Sequence, residues 1–476
     1  GGDVTASANV DPFAAQRGRG AAFTVNLAGV QGAGLTEVLG KAWPVQVSGG
    51  VLAAAGTGDY SAKNGLRCRM AISGSDLAIT AKNGRTLLNK GGLKLDGEWG
   101  DGNLLLREGK VTIGKEPAIS LRGKISRAAS PEREGEISLA LSRVSLTSLF
   151  DAFANILPRS LQEATAAGNV AVDGKLRIKG KQTTVTGEMT LEGGSLDVPS
   201  QKLSIIAING AIPISLNISG KAAPKHPEKL SFSRENYSRI LQVMRQPAKE
   251  GHILTIGKIS FGTTEFATTT LAIRAGNGLT EITSLESGLF QGALLGHGFF
   301  RYQGGAQYGA DILVHDLSLR EVCNSYPAIN GYLSGRVDGF VSLFGTKRGL
   351  NDLKGFVDFW ARSDKNEKML VSKEFLQKLA GKKLKGIFFQ NDRPYDRGEI
   401  GAYLEEGYLT FKTLDISHTN FLGVRDLSVS VAPVQNKISL DHLLTTIREA
   451  AARGKAATGG AAPAETPAAS EFKWEE

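Results

Sequence analysis

Apolar and polar residues alternate along most of the chain with a period of two, which is typical of strands that have one apolar and one polar face. The clearest runs are Ile137, Leu139 and Leu141; Leu176 and Ile178; Ile212, Ile214, Leu216 and Ile218; Val341 and Leu343; and Ile400, Ala402 and Leu404. About 25 strands are predicted in this way, so the chain is mainly antiparallel β. Pro213 interrupts one run and predicts a sheet edge or a bulge, because proline cannot donate to the ladder.

Short glycine-containing turns are predicted between the strands, at the spacing of hairpins. They are Asn83-Gly84, Asp96-Gly97, Asn209-Gly210, Asn277-Gly278 and Glu405-Glu406-Gly407. Turns this frequent leave little room for long crossover connections, which favours a β-meander over a parallel sheet.

Only a few short helices are predicted. They are residues 145–157, ended by Pro158; a helix that Ser233 caps; a helix that Ser372 caps and that stops near Gly381; and a last helix that opens at Ser439 or Asp441. Residues 454–476 are rich in Ala, Gly, Pro and Thr. We expect this tail to be disordered, because it has too little apolar surface to bury.

A nine-residue motif occurs twice. Residues 172–180 and 337–345 share the pattern V-D-G-x-[LV]-[RS]-[IL]-x-G, and residues 50–56 keep its glycine spacing more weakly. Each copy follows a short Leu-rich segment, so a unit of short helix, loop and β-meander recurs about three times. The predicted units are residues 1–143, residues 144–312 with a helical insertion near 233–246, and residues 313–447 with the terminal helix. Their uneven spacing argues against a solenoid of fixed period and for a continuous stack of sheet.

The composition excludes several classes of protein. Of 476 residues 59 are glycine, and the hydrophobic share of 41 % is enough to fold. No run of about 18 apolar residues predicts a transmembrane helix. The net charge of +9 is modest for this length. Lys378, Lys382, Lys383 and Lys385 form a basic cluster without interleaved aromatic residues, which argues against nucleic acid and leaves a solvated helix face or contact with anionic lipid headgroups.

No motif in the chain predicts a catalytic or metal site. The six histidines lack zinc-ligand spacing, and no nucleophile elbow or phosphate-binding loop occurs. Cys68 and Cys323 are interpreted as two small buried residues. Asp392, Asp396 and Glu399 lie beside two arginines, and opposed charges in a polar loop explain them better than catalytic carboxylates. We therefore expect no enzyme activity and no cofactor.

The apolar faces of the predicted strands must be hidden from water. One solution is a closed core, as in a β-sandwich. The other is a long antiparallel sheet that curls into an open, taco-like groove for hydrocarbon. Each methylene taken out of water contributes about 0.8 kcal/mol, so an acyl chain of about 16 carbons gains on the order of 13 kcal/mol there. The candidate lining residues are Ile137, Leu139, Leu141, Leu176, Ile178, Ile212, Ile214, Leu216, Ile218, Val341, Leu343, Ile400 and Leu404.

The order of Leu-rich segment, loop, nonapeptide and meander resembles the AsmA-like superfamily of Gram-negative envelope proteins. The stretch from Gly288 to Ile447 is similar to the C-terminal part of YdbH-type members. The similarity lies in residues 292–296 and 300–302, Leu317-Ser318-Leu319, the nonapeptide at Val337 and residues 398–411. It covers most of residues 20–447. The resemblance implies a long, curled β-groove in the periplasm that passes phospholipid between two membranes, without catalytic residues.

The first hypothesis is thus the periplasmic segment of a bridge-like protein that conducts phospholipid between the inner and outer membranes. Its partners would be phospholipid acyl chains, the inner membrane and an outer-membrane protein. The resemblance also implies tethering to the inner membrane by an N-terminal helix that is absent from this chain. The second hypothesis is a structural or assembly factor for outer-membrane proteins that binds partner strands at sheet edges. A periplasmic enzyme is the third.

Overall fold

The computed structural model describes residues 2–10, 20–33, 45–61, 65–81, 86–113, 118–153, 157, 159–218, 231–246, 251–301, 306–346, 349–380, 391–430, 437–440, 442, 443 and 445. Within them the chain forms one antiparallel sheet of 22 strands, a second sheet of three strands and a few short helices. The prediction of a mainly antiparallel β protein is confirmed. The 25 described strands also agree with the number that the alternation predicts.

The large sheet is a meander in which each strand except the last two pairs antiparallel with the next strand of the sheet, while the last two strands both pair with the strand before them. Its first eleven strands are β1 (Asp3–Val10), β2 (Ala21–Gln31), β3 (Val45–Ser61), β4 (Gly65–Ala81), β5 (Thr86–Gly100), β6 (Asn103–Thr112), β7 (Ala118–Ser126), β8 (Glu134–Ser145), β9 (Thr165–Lys179), β10 (Gln182–Val198) and β11 (Leu203–Asn217). The next seven are β12 (His252–Phe261), β13 (Thr264–Gly276), β14 (Leu279–Leu289), β15 (Gly292–Arg301), β16 (Gln307–Ser318), β18 (Arg336–Thr346) and β19 (Lys354–Arg362). The last four are β22 (Arg397–Glu405), β23 (Tyr408–Thr419), β24 (Arg425–Ser430) and β25 (Lys437–Ser439).

The three remaining strands leave the meander and form the small sheet. They are β17 (Leu333–Ser334), β20 (Leu370–Val371) and β21 (Arg393–Pro394). As a result β16 pairs with β18, and β19 pairs with β22. Both β24 and β25 pair with β23, at opposite ends of it.

The large sheet runs without interruption through the three predicted repeat units. The pairing of Ile137 with Leu176 joins β8 to β9, and the pairing of Ile312 with Val341 joins β16 to β18. At the usual strand spacing of about 4.8 Å, the hydrogen-bonded contour of the sheet is on the order of 100 Å. The units are therefore successive parts of one sheet.

Five short α-helices and four 3₁₀ turns interrupt the meander. The α-helices are α1 (Leu146–Phe153), α2 (Arg159–Gln162), α3 (Tyr237–Met244), α4 (Leu319–Asn324) and α5 (Lys373–Ala380), and the 3₁₀ turns are Pro199–Gln201, Arg234–Asn236, Pro327–Ile329 and Gly349–Asp352. These counts apply to the described ranges. Helix α1 is shorter than the predicted 145–157, while Pro158, Gly381, most of the last predicted helix and the tail 454–476 lie outside the described residues.

Both predicted N-caps are present. The Ser233 side chain accepts a hydrogen bond from Asn236 N at 3.3 Å, and Ser233 N donates to Asn236 Oδ1 at 2.9 Å. This reciprocal capping box opens the 3₁₀ turn that leads into α3. The Ser372 side chain accepts from Phe375 N at 3.2 Å and caps α5. Each cap satisfies backbone donors that the first helical turn leaves unpaired.

Two of the predicted turns are correct and two are wrong. Asn277-Gly278 joins β13 to β14, and Glu406-Gly407 joins β22 to β23, with positive φ at all four residues. Asp96-Gly97 and Asn209-Gly210 instead lie inside β5 and β11. Gly97 is paired in mid-strand with Met70 and Leu106, and a Cβ atom on it would lie 3.2 Å from the backbone oxygen of Leu105. Asn83-Gly84 lies outside the described residues.

The two nonapeptides occupy equivalent places, because each is a strand that follows a helical connection. Residues 172–180 belong largely to β9, and residues 337–345 lie in β18. An Asp-Gly pair predicts a bend or bulge in each motif, but this prediction is wrong: Gly174 and Gly339 are paired in mid-strand without positive φ. A Cβ atom on Gly339 would lie only 2.1 Å from Cδ1 of Phe359, so this glycine is explained by the aromatic ring that packs against it.

Pro213 lies where its strand has a partner on one side only. It is opposite Glu188 of β10, whereas the pairing of β11 with β12 stops at Gly210. The missing N–H of proline therefore costs no ladder hydrogen bond to β12. The predicted sheet edge is present at this position.

One apolar patch of the sheet is covered by the segment that carries α3. Leu295, Leu313 and Phe340 are successive register partners, and register partners lie side by side on the same face. Tyr237 and Ile240 of α3 pack on this patch. The ring of Phe232 stacks on Phe340 with centroids 4.3 Å apart.

Polar contacts hold the α3 segment in place. The Tyr237 hydroxyl donates to the carbonyl oxygen of Val314 at 2.9 Å. Arg234 forms ion pairs with Asp358 at 2.7 Å and with Glu399 at 2.8 Å. The segment is therefore docked both by apolar burial and by charges on β19 and β22.

The replacement Phe340→Ala should lower the free energy of unfolding by about 3–5 kcal/mol, because it leaves a cavity under the fully buried ring. Chemical denaturation followed by circular dichroism would measure the change. Tyr403→Ala, at an exposed position on the same face of β22, is the control and should change stability by less than about 0.5 kcal/mol. Equal effects of the two replacements would contradict the packing described for α3.

Candidate functional site

One face of the large sheet is apolar from its first strand to β23. A first row of register partners crosses β1 to β11: Val4, Leu27, Ala54, Ile72, Leu95, Gly109, Leu121, Leu139, Gly174, Gly187 and Ile214. A second row continues from β11 to β23: Gly210, Leu254, Leu271, Leu285, Gly296, Ile312, Val341, Val357, Ala402 and Phe411. Every member is apolar or glycine. We call the surface that contains these two rows the apolar face.

The apolar face carries no ionisable acid or strong base along the described strands. No Asp, Glu, Lys or Arg is a register partner on it. Two polar side chains on it, Thr269 and Ser287, are partners and hydrogen-bond each other at 2.7 Å. Their polar atoms thus satisfy each other without a charge.

Charged side chains lie on the opposite face, where they pair across neighbouring strands. Arg69 and Asp96 are 2.8 Å apart, and Arg177 and Glu136 are 2.9 Å apart. The hydrogen bonds from Arg177 and Lys175 hold the pKa of Glu136 below its usual value. Exposed pairs of this kind stabilise a protein by only about 0–1 kcal/mol each, so they mark the face that water solvates.

Twelve of the thirteen candidate lining residues lie on the apolar face. They are Ile137, Leu139 and Leu141 of β8; Leu176 and Ile178 of β9; Ile212, Ile214 and Leu216 of β11; Val341 and Leu343 of β18; and Ile400 and Leu404 of β22. Ile218 follows the end of β11. Leu216 and Ile218 are 45 % and 66 % exposed, because β12 does not extend to this end of β11.

The apolar face is in contact with solvent at both ends of the sheet and between them. Met70 of β4, Phe300 of β15 and Ile400 of β22 lie on it and are 44 %, 46 % and 40 % exposed. A closed core would bury large side chains like these. Within the described residues, the apolar surface is therefore continuous and partly open.

Small elements cover part of the apolar face at one end of the strands. Leu146 and Leu149 of α1 pack on Val170 and Val172 of β9. Further along, the small sheet and α5 bury a cluster against β19, β23 and β24. Its members are Met369, Val371, Leu376, Tyr395 and Leu427, with Ala361, Ile416 and Val429 beside them.

A cavity of about 370 Å³ lies where the small sheet meets the apolar face. Its walls include Leu294, Val314, Val337, Phe359, Leu414 and Ile416. The Tyr395 hydroxyl on its rim donates to Ser334 O at 2.8 Å, and burial raises the pKa of this tyrosine above its usual value. A volume of about 300–1,000 Å³ with apolar walls is usual for sites that bind small organic groups.

Sequence reasoning missed the cavity residues of β19. Phe359 and Ala361 lie on the apolar face, but Phe356 and Trp360 on the opposite face of the strand are also apolar, because they pack in the cluster that α3 covers. Because β19 has large apolar residues on both faces, the alternation of apolar and polar residues along it is weak. Long-range docking of α3 cannot be read from the local pattern.

The described residues contain no group of three or more His, Cys, Asp or Glu that could hold a metal ion. Both cysteines are free: Cys68 faces Trp99 across β4 and β5, and Cys323 is buried, which raises the pKa of its thiol. Among the described helices, none has the length and apolar character needed to cross a bilayer. Thus the distinctive chemical feature of the described structure is its apolar face.

No protein-family model matches the chain, and its comparison with curated proteins and with solved structures gives no match. Membership of the AsmA-like superfamily therefore remains a prediction from the sequence motifs.

Gly339→Ala should lower the free energy of unfolding by about 1–3 kcal/mol, because the added methyl group overlaps the Phe359 ring. The matched replacement in the other nonapeptide, Gly174→Ala, should be neutral or stabilising by up to about 1 kcal/mol, since the nearest atom to its Cβ is Thr186 O at 3.4 Å. Urea denaturation of both variants checks this difference. Equal destabilisation would contradict the ring packing on Gly339.

Proposed function

We propose that this chain is a segment of a bridge-like protein whose apolar face conducts phospholipid between the inner and outer membranes of a Gram-negative envelope. The observation that carries the proposal is the apolar face, on which no Asp, Glu, Lys or Arg is a register partner and whose histidines His252 and His418 lie near strand ends. It crosses the described strands from β1 to β23 and is partly open. The AsmA-like resemblance of the motifs supports the same function. It also supports a periplasmic location and a tether at the inner membrane.

The physical argument is that a hydrocarbon chain needs an uninterrupted apolar path. An unpaired carboxylate on that path would be costly to bury and would draw water to the surface. The apolar face meets this requirement along a contour of about 100 Å, which is several times the thickness of about 30 Å of a membrane's hydrocarbon core. A pocket for a single lipid would not need such a length.

We further propose that the sheet curls around the apolar face to form the groove. Register shifts occur at many strand pairs, including Leu141/Val144 in β8 and Val314/Leu317 in β16. Bulges of this kind bend a strand and increase its twist. One packed cluster also joins side chains of six neighbouring strands on this face, from Val144 of β8 to Ile273 of β13. Such packing favours a concave apolar face.

In this proposal the protein supplies a surface and no chemistry. The headgroup stays in water at the open side, while the acyl chains lie along the apolar face and gain about 0.8 kcal/mol per methylene removed from water. Since neighbouring positions on the face are chemically similar, a lipid can move between them without breaking a specific bond. The small cavity beside the three-stranded sheet would hold the end of a chain.

The alternative is an assembly factor that binds partner strands at sheet edges. One edge of β1 pairs with no described strand, which is the observation that favours it. Such a factor has no need for an apolar face across the whole sheet, however. The apolar face therefore favours the lipid path over edge binding.

The direct test is to purify the full chain under mild conditions and to detect bound phospholipid by mass spectrometry, with a delipidated sample as the control. We expect several phospholipids per chain. Photocrosslinking groups placed at Leu176 and Leu343 should capture lipid, and groups placed at the opposite-face positions Lys175 and Tyr403 should not. Absence of lipid from every position on the apolar face would refute the proposal.

Val341→Asp or Leu343→Asp should block lipid passage and lower lipid crosslinking beyond the changed position, while the sheet persists, because a partly open face can hydrate one charge. Lipid crosslinking, circular dichroism and thermal melting of each variant check this. Tyr403→Asp, on the opposite face, is the control and should retain both lipid and fold. If the apolar face were a closed core, an unpaired buried carboxylate would cost several kcal/mol and unfold the sheet. Unfolding, or retained fold with undiminished lipid passage, would contradict the prediction.

A further inference from the structure

The loop between β23 and β24 exposes apolar side chains to water. Phe421 is 95 % and Leu422 is 70 % exposed, and Val424 is also exposed. The sequence of residues 420–424 is Asn-Phe-Leu-Gly-Val, which contains no charge. We call residues 420–424 the apolar loop. Exposed apolar groups that cluster in this way usually mark a contact with a partner or a membrane.

Four of the five backbone N–H groups of the apolar loop donate hydrogen bonds within the loop. Asn420 Oδ1 accepts hydrogen bonds from Leu422 N and from Val424 N, both at 3.0 Å. Asn420 N donates to Val424 O at 2.9 Å, and Gly423 N donates to Asn420 O at 2.9 Å. Gly423 has φ +75°, which glycine adopts without strain. A loop that satisfies these backbone groups internally can enter an apolar medium at a low cost in lost hydration.

The charges at the base of the loop are paired with each other. Arg425 contacts Asp415 at 3.1 Å, and Asp426 contacts His418 at 2.6 Å and Arg393 at 2.8 Å. The hydrogen bond from His418 holds the pKa of Asp426 below its usual value. Asp396 adds a carboxylate that accepts from Thr419 N at 2.8 Å. The loop therefore presents an apolar tip above a base with no excess of positive charge.

The loop also continues directly from the apolar face. Strand β23 contributes Leu414 and Ile416 to the cavity walls, and it ends at Thr419, one residue before the loop. The exposed side chains are thus at the same end of the strands as the cavity. The apolar surface of the protein extends to this tip.

We propose that the apolar loop is a membrane-contact site that inserts Phe421 and Leu422 into the interfacial layer of a bilayer. A stable protein interface usually covers about 800 Å² on each partner, more than this tip offers. A bilayer needs only a few apolar side chains at the depth of the headgroup boundary. Since the base of the loop has no excess of positive charge to attract anionic lipid, the surface that it fits is a zwitterionic one. This site is carried by the loop alone and goes beyond the proposed lipid path.

The test is flotation of the full chain with vesicles of phosphatidylcholine. The chain should float with the vesicles, and the double variant Phe421→Ser, Leu422→Ser should bind at least about tenfold more weakly, because several methylene equivalents leave the membrane. Val243→Ser removes an exposed apolar side chain from α3, away from the loop, and is the control, with binding unchanged. Binding should persist in high salt, since no charge attraction is involved.

A second measurement locates the loop in the membrane. The variant Phe421→Trp should show a blue-shifted tryptophan emission with vesicles, and brominated lipid should quench it, relative to the parent chain. The double serine variant should retain its circular dichroism and its bound phospholipid. Loss of vesicle binding and loss of lipid capture are therefore separable, and failure of one proposal does not imply failure of the other.

Three outcomes would overturn the membrane-contact site. The proposal would be overturned if the parent chain did not float with phosphatidylcholine vesicles, if the double serine variant floated as well as the parent, or if high salt abolished the binding. If, in addition, the parent chain self-associates with concentration and the double variant does not, the loop is covered by a second copy of the chain instead of a bilayer.

Discussion

The whole structure depends on one constraint: strand register must keep apolar side chains on the same face across more than twenty strands. A slip by one residue would move every apolar side chain of a strand to the charged face. Bulges preserve the constraint where strand lengths differ. Leu141 and Val144 of β8 are three positions apart, yet they face Val172 and Val170 of β9 on the same side, because the bulge absorbs the extra residue. The same register places the charged side chains of neighbouring strands beside each other on the opposite face, where they pair.

The two faces of the large sheet differ in which elements cover them and in how much apolar surface stays exposed. On the charged face, the patch formed by Leu295, Leu313 and Phe340 is covered by α3 and the aromatic residues around it. The apolar face is covered by α1 and the small sheet at one end of the strands and keeps large side chains in solvent elsewhere. On the charged face a limited apolar patch is buried under α3, whereas on the apolar face a wider apolar surface stays partly exposed. A lipid path would need such an exposed apolar surface.

Local patterns in the sequence were sufficient for much of the fold. Alternation in β8, β9 and β11 predicts both the strands and the face of eight candidate residues, because these strands have water on their other side. The same signal fails in β19, where docking of α3 from more than 100 positions earlier makes both faces apolar. Asp96-Gly97 resembles a turn but lies within β5, because pairing with β4 and β6 continues through both residues. The cavity needs the small sheet, whose three strands are brought together from distant parts of the chain. The apolar loop has too few residues to give any periodic signal.

The order of strands in the meander also has a consequence for how the chain folds. Nearly every strand pairs with its sequence neighbour, so most of the sheet can form by successive addition of hairpins, with short loops to close. The segment that carries α3 is the exception. Arg234 reaches Asp358, 124 residues later, and Tyr237 and Phe232 need β15, β16 and β18 as their support. During vectorial folding from the N-terminus, this segment must therefore remain undocked until seven further strands of the large sheet, β12 to β16, β18 and β19, have been added. The α3 segment can therefore dock only after the strands that form its binding surface have paired.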